Sequence, residues 1–226
     1  MRPPDDTAGE TLRRPISLAN EVYEALYGQL MSLKIAPGSR VSVDQLVRSL
    51  GVSQTPIREA LSRLEAQGLV VKQHLLGFRA ADQLDRVKLN ELYEMRMMLE
   101  PFAAGRFAAR RDKAEMKELR SLDNEMRGID AGQSRAAYGE FAKRDAAFHS
   151  FIAKHCGNEL VYETLNRFHI HVHLFRLHFH ARATTDANKE HEQLMAAIED
   201  GNSSAAEDAM RHHLECSKSR FEGAFV

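Results

Sequence analysis

The stretch Ile35–Val70, IAPGSRVSVDQLVRSLGVSQTPIREALSRLEAQGLV, decides how this chain is read. Ala36-Pro37-Gly38 is a strong breaker, so a helix ends before it. That helix begins near Leu18 and carries Leu18, Val22, Leu26 and Leu30 at four-residue spacing. A short second helix is expected from Val43 to Leu50, with Leu46, Val47 and Leu50 as its apolar side and Gly51 closing it. Thr55-Pro56 opens a third helix: Thr55 can cap the free N–H groups, and proline is favoured at the first helical position. Ile57, Ala60, Leu61 and Leu64 form its buried face, and Gly68 stops it. Leu69-Val70-Val71 reads as a strand, Leu75-Leu76-Gly77 as a turn and Phe78-Arg79-Ala80 as a returning strand. Two short helices around a glycine turn, followed by a hairpin, describe a winged helix-turn-helix.

The rest of the chain carries no strand signal after Asp82. Leu89, Leu92, Met95, Met97, Leu99, Phe102 and Phe107 mark a long helix, and further helices are expected over 112–129, 134–155, 158–181, 185–200 and 203–221. Gly128, Gly132, Gly157 and Gly201 fall at or near the joints, which implies an antiparallel bundle. The predicted fold is therefore mainly α: an N-terminal winged helix-turn-helix with a small β wing, then an all-α antiparallel helical bundle. Residues 1–15, with three prolines, read as a disordered arm, 16–80 as the DNA-binding domain and 81–226 as an effector-binding domain.

Composition sets the outer limits. The 226 residues suffice for two domains, and the 43% hydrophobic content fills ordinary cores. Residues 1–80 hold ten Lys and Arg against eight Asp and Glu, a tilt that serves DNA only if the basic groups share one face. Cys156 and Cys216 have no metal-ligand spacing and suit a reducing compartment. The start MRPPDDTAGE lacks the apolar core of a signal peptide, and no apolar run reaches the roughly 18 residues of a membrane span. A cytoplasmic protein with no membrane partner is expected. Ten of the eleven histidines lie after residue 145, which is the oddest feature of the composition.

A third helix lying in the major groove would present Thr55, Arg58 and Ser62 at helical spacing beside its apolar stripe, with Gln54 at the helix entry. Arginine reads guanine and glutamine reads adenine, while Arg40, Arg48 and Lys72 could add backbone contacts. The segment from about Leu18 to Ala80 resembles the DNA-binding domain of the GntR family of bacterial regulators. "PGSR", "LGVSQTPIREAL" and "RLEAQGLV" carry the likeness, in the family's order and spacing. It implies operator contacts for Thr55 and Arg58 and a minor-groove approach for the wing glycine, Gly77. Two positions depart from the family: Gln54 stands where many members have arginine, and Asp44 lies near where many have a basic residue.

In the bundle, Asp145 and His149 are four apart and share one helix face. A carboxylate and an imidazole so placed can grip a divalent cation, although a cap, a surface pair or a packed histidine would give the same spacing. His191 and His213 stand on later helices. Residues 85–221 resemble the helical effector domain of the FadR subfamily, the FCD type, through Arg96 with Glu100, "RDAAFHSFI", "KEHEQLMAAIEDGN" and "AMRHHL". The resemblance implies a metal held by Asp145, His149, His191 and His213, with zinc the first candidate and nickel, iron or manganese also suited. It further implies a small organic acid or amino acid as effector, with Arg96 neutralising an acidic group unless it only pairs with Glu100. In the run NRFHIHVHLFRLHFHAR, helical spacing aligns His169, His173, Arg176 and His180, while His171 and His178 lie elsewhere; His173 and Arg176 are the candidates to face an effector.

These readings give a homodimeric, ligand-responsive DNA-binding regulator, a repressor by preference, acting on a two-fold operator and not an enzyme. Two alternatives remain open: a regulator for which the metal itself is the signal, and a metalloenzyme, against which stands the lack of a general base beside the proposed ligands.

Overall fold

The computed structural model describes residues 18–110, 112–130, 134–177 and 181–225. The expected arm, Gly132, His178 and His180 lie outside them.

Helix α1 (Leu18–Met31) buries Val22, Leu26 and Leu30 against Ile57, Ala60, Leu61 and Leu64 of α3 (Gln54–Ala66). Between them, α2 (Val43–Leu50) starts where Ser42 Oγ accepts from the Gln45 amide and ends where Gly51 takes φ 67°, a conformation that costs glycine little. The third helix begins one residue earlier than expected. Ser53, not Thr55, holds the cap position, and its side chain makes no capping bond. Pro56 then falls on the third helical residue, where its missing N–H would still have had no intrahelical acceptor.

The wing is a three-stranded antiparallel sheet in the order β1 (Arg40–Val41), β3 (Gly77–Ala80), β2 (Val70–Gln73). Arg40 faces Arg79 and Val41 faces Phe78 across the β1–β3 ladder. Two residues are too short for any alternation pattern, so β1 left no sequence signal.

The bundle comprises α4 (Arg86–Arg110), α5 (Lys113–Arg127), α6 (Arg135–His155), α7 (Glu159–Arg167), α8 (Ile170–Leu177), α9 (Ala181–Glu199) and α10 (Ser203–Glu222), with a 3₁₀ turn at Gly223–Phe225. Asp112, Ser134, Asn158 and Asn202 each cap the helix that follows by accepting backbone N–H bonds. Helices α4, α9 and α10 pack together on one side and α5 and α6 on the other. The helix expected over 158–181 is two helices. The chain breaks at Phe168–His169, where His169 takes φ 46°. No glycine or proline marks that break, and tertiary contacts account for it. The turn sends Ile170, Leu174 and Phe175 into the core and lays α8 against the winged helix-turn-helix.

That junction is specific. Gly68 (φ 70°) passes so close to α8 that a Cβ there would lie 2.8 Å from His169 Cδ2 and 3.2 Å from His173 Nε2. Lys143 Nζ pairs with Glu24 Oε2 at 2.6 Å. The connector out of the wing is held from both directions: Arg176 Nη2 donates to the Ala81 carbonyl (2.8 Å), and Gln83 Nε2 donates to the Arg176 carbonyl (2.6 Å). Gly51 shares Gly68's backbone conformation but has open space around it. Gly51→Ala is therefore expected to cost about 1 kcal/mol for backbone strain alone, and Gly68→Ala about 2–3 kcal/mol because the junction must also yield. Thermal unfolding of the two variants side by side measures the difference.

Candidate functional site

On the DNA-reading side, Gln54, Thr55, Arg58 and Ser62 are all exposed on α3, with Arg48 exposed on α2, Arg40 on β1 and Gly77 at the wing turn. Buried Ile57, Ala60, Leu61 and Leu64 lock the helix from behind and fix which face it turns outward. Arg58 Nη2 donates to Gln54 Oε1 (3.4 Å), and Gln54 Nε2 donates to Asp44 Oδ1 (3.2 Å). The two positions that depart from the family pattern thus touch each other: Asp44 orients the Gln54 amide, which in turn steadies the Arg58 guanidinium. Beside the wing turn, Leu75 and Leu76 are 92% and 62% exposed.

Inside the bundle, α6, α9 and α10 bring His149, His191 and His213 together, so that one ring nitrogen from each lies within 4.8 Å of the others. All three are buried, as is Asp145. His149 Nε2 and His191 Nε2 are 3.3 Å apart, and Asp145 Oδ1 lies 3.6 Å from His191 Nε2 and 4.0 Å from His149 Nε2. Metal–nitrogen bonds of about 2.0–2.1 Å in a tetrahedron require nitrogen–nitrogen edges of about 3.3 Å. The donor set suits a divalent cation, and the His149–His191 edge already has that spacing, while the remaining donors stand within 4.8 Å and would close in on an ion.

The outer partners fit as well. His149 Nδ1 donates to Glu100 Oε2 (2.7 Å), and His213 Nδ1 donates to Glu190 Oε2 (2.8 Å). With Nδ1 protonated and tied to a carboxylate, each ring keeps its Nε2 lone pair for the centre. Burial, the largest influence, pulls His191 and His213 below the ordinary histidine range, which keeps them neutral as ligands must be. Burial alone would raise Asp145, but His171, His149 and His191 outweigh it and hold the carboxyl well below its usual range. His191 Nδ1 has no hydrogen-bond partner among the described residues.

Arg96 is not a surface residue. It is 1% exposed and pairs with Glu100 through Nε–Oε1 (2.5 Å) and Nη2–Oε2 (3.3 Å). Glu100 thereby connects Arg96 to His149. Arg96, Asp145, His213 and Arg220 border a void of about 20 Å³, enough for one water-sized species. His173 and Arg176 are not brought to this centre. His173 lies against Gly68, where burial pulls its imidazole down to about 4. Arg176 is 2% exposed, and its Nε and Nη1 have no partner among the described residues. Among the described residues of the histidine run, His171 reaches the centre, its Nδ1 donating to Asp145 Oδ2 at 2.6 Å. Sequence reasoning missed His171 in that role, and with it the backing carboxylates Glu100 and Glu190.

A winged helix-turn-helix with an exposed third helix, joined to a helical bundle with a buried polar centre, is the architecture of a DNA-binding transcription regulator. Residues 18–79 match bacterial regulatory proteins of the gntR family, and residues 91–215 match the FCD domain. This chain belongs to the GntR family and carries its FCD domain, in a family of transcription regulators and not of enzymes. The HTH-type transcriptional regulator LutR of Bacillus subtilis (strain 168) is 32% identical over 205 residues, covering 80% of this chain and 90% of LutR. The "Probable D-xylose utilization operon transcriptional repressor" of Paenarthrobacter nicotinovorans is 28% identical over 92% of this chain and 90% of its own length. E. coli McbR/YncC shares the fold, with TM-score 0.69 at 18% identity over 94% of this chain and 100% of that one. A GntR regulator from Rhodococcus sp. RHA1 does so with TM-score 0.69 at 21% identity over 92% and 99%. No helix among the described residues is long and apolar enough to cross a membrane.

Proposed function

We propose that this regulator represses transcription as a homodimer and that its bundle senses a small carboxylate metabolite with the help of a bound divalent metal. In this reading residues 16–80 form the DNA-binding domain and 81–226 the effector domain. Arg58, Gln54, Thr55 and Ser62 read bases, while Arg40, Arg48 and the wing at Gly77 touch the backbone and minor groove. His149, His191, His213 and Asp145 hold the metal. The observation that carries the reading is the convergence of those four buried groups from three helices, with Glu100 and Glu190 orienting two of the rings.

When bound, the metal would supply positive charge and a coordination position for an acid. The chain's own residues do the remainder. Glu100 and Glu190 fix the tautomers, and Arg96 balances Glu100. Zinc suits the donor set, and nickel, iron or manganese share it. Repression is consistent with the name of the Paenarthrobacter relative.

Thermal unfolding tests the reading. Protein stripped of metal is expected to melt lower than protein given zinc, and one of a panel of organic acids and amino acids is expected to raise the melting temperature further only when metal is present. If metal alone raises it and no acid adds to the rise, the metal is itself the signal. If neither does, the centre is a hydrogen-bonded core cluster.

A further inference from the structure

Apart from the small void at Arg96, a cleft of about 410 Å³ reaches the centre from the side of His149, Glu100 and His171. Its floor is the polar centre itself, through His149, Glu100 and His171. One wall is the alanine face of α6, represented by Ala142 and Ala146, with Leu165 and Ile170 beside it. Its remaining wall belongs to the winged helix-turn-helix: Tyr23 and Tyr27 of α1, and Gln67 just past the end of α3. The cleft is therefore walled in part by the DNA-binding domain.

Resting on the acid-sensing reading above, the geometry points to a carboxylate with an apolar, ring-sized body that binds in this cleft and touches both domains at once. Its acid group lies at the His149–His171 end, and its body lies between the α6 alanines and the rings of Tyr23 and Tyr27. A three- or four-carbon hydroxy acid would occupy only the floor and leave most of the volume to water, whereas clefts of about 300–1,000 Å³ suit larger ligands. The tyrosine rings lie 6.0 Å apart at 31°, and Lys143 Nζ sits 4.2 Å from the Tyr27 centroid while pairing with Glu24. Those contacts leave the wall with aromatic surface and little free charge, which favours an apolar body.

The position has a mechanical meaning. Tyr23 donates to Gln67 Oε1 at 2.7 Å, and Arg63 of α3 stacks over Tyr23 at 4.1 Å. A ligand touching Tyr23 and Gln67 thus presses on the C-terminal end of the recognition helix directly. A ligand bound more tightly in one setting of the two domains shifts the balance between them by its difference in affinity.

Calorimetric titration of the full-length, zinc-loaded chain tests this, with phenylacetate as the ring-bearing probe and L-lactate as the small one. Two variants enter from opposite walls, Ala146→Phe to fill the cleft and Gln67→Ala to remove a reader-side contact, each first checked for unchanged zinc affinity and melting temperature. Phenylacetate is expected to bind more tightly than L-lactate, with its affinity reduced at least tenfold by Ala146→Phe and about fivefold by Gln67→Ala, where tenfold equals about 1.4 kcal/mol. Should Ala146→Phe fail to fold, Gln67→Ala alone decides. If L-lactate binds in a zinc-dependent way and neither variant alters any acid's affinity, the bridging site is overturned while acid sensing at the metal survives. If zinc binds and neither acid does, this inference and the acid-sensing reading fall together.

Discussion

Arg58→Ala is expected to reduce operator affinity by two to four orders of magnitude and to flatten the protein's preference among operator sequences. A bidentate arginine–guanine contact contributes about 1–3 kcal/mol, and the proposed dimer would lose two of them, so the expected cost is about 2–6 kcal/mol. The structure gives the substitution little other effect. Arg58 is exposed, and its described hydrogen bond is the 3.4 Å contact to Gln54. The measurement is fluorescence anisotropy on a sequence selected from random DNA with the native protein, at fixed salt. Arg48→Ala and Arg40→Ala serve as comparisons. As phosphate contacts they should weaken all sequences alike and lower the slope of log affinity against log salt by about one per contact, leaving the preference intact. An Arg58→Ala protein that keeps its sequence preference would remove Arg58 from the reading set and return it to its role as a partner of Gln54.

His191→Ala carries the second large effect. Structural zinc sites contribute about 10–16 kcal/mol across four ligands, or roughly 3–4 kcal/mol each, so losing one should weaken zinc binding by two to three orders of magnitude. His191 is the sharpest choice because it is fully buried and its Nδ1 has no hydrogen-bond partner among the described residues. The substitution also opens a cavity beside Phe148, and the metal-free variant should therefore be somewhat less stable than the metal-free parent. The decisive observation is the zinc-dependent rise in melting temperature: present in the parent and lost in His191→Ala at equal zinc. Competition against a chelator gives the affinity itself. A variant that retains the parent's zinc response would leave His191 as a core histidine and the other three groups as the site.

The reading domain was legible because its signals are local. Gly51, the Ala36-Pro37-Gly38 breaker and the stripe Ile57, Ala60, Leu61 and Leu64 each act within a turn or two of the chain, and the structure uses all of them. Strand β1 escaped because two residues hold no pattern, and the start of α3 shifted because the helix begins at Gln54 without any side-chain cap at Ser53 to mark it. The bundle centre was legible only in part. Asp145 and His149 share a face through plain helical spacing, but nothing local says that His191 and His213 meet them. Glu100 and Glu190 were hidden for the same reason, since each serves a histidine 49 or 23 residues away. His171 was misplaced by a subtler fault. Helical spacing rightly set His171 on a face apart from His173 and Arg176, but spacing alone does not say which face meets the centre, and α8 turns His171 toward Asp145 and Arg176 toward the connector.

That connector bears on how such regulators can be rebuilt. Residues 18–79 and 91–215 match two separate families of domain, which invites treating the DNA reader as a cartridge to be swapped between sensors. The junction argues for a different cut. Arg176 gives its one described hydrogen bond to the Ala81 carbonyl and has no carboxylate bonded to it among the described residues, while Gln83 returns a bond to α8 and Gly68 leaves room for His169. A hybrid spliced at residue 81 inherits a buried cation fitted to one particular connector and a histidine seated against one particular glycine. A hybrid that keeps α8 together with the reader it grips, accepting a seam inside the bundle, preserves the grip by which the sensor is heard.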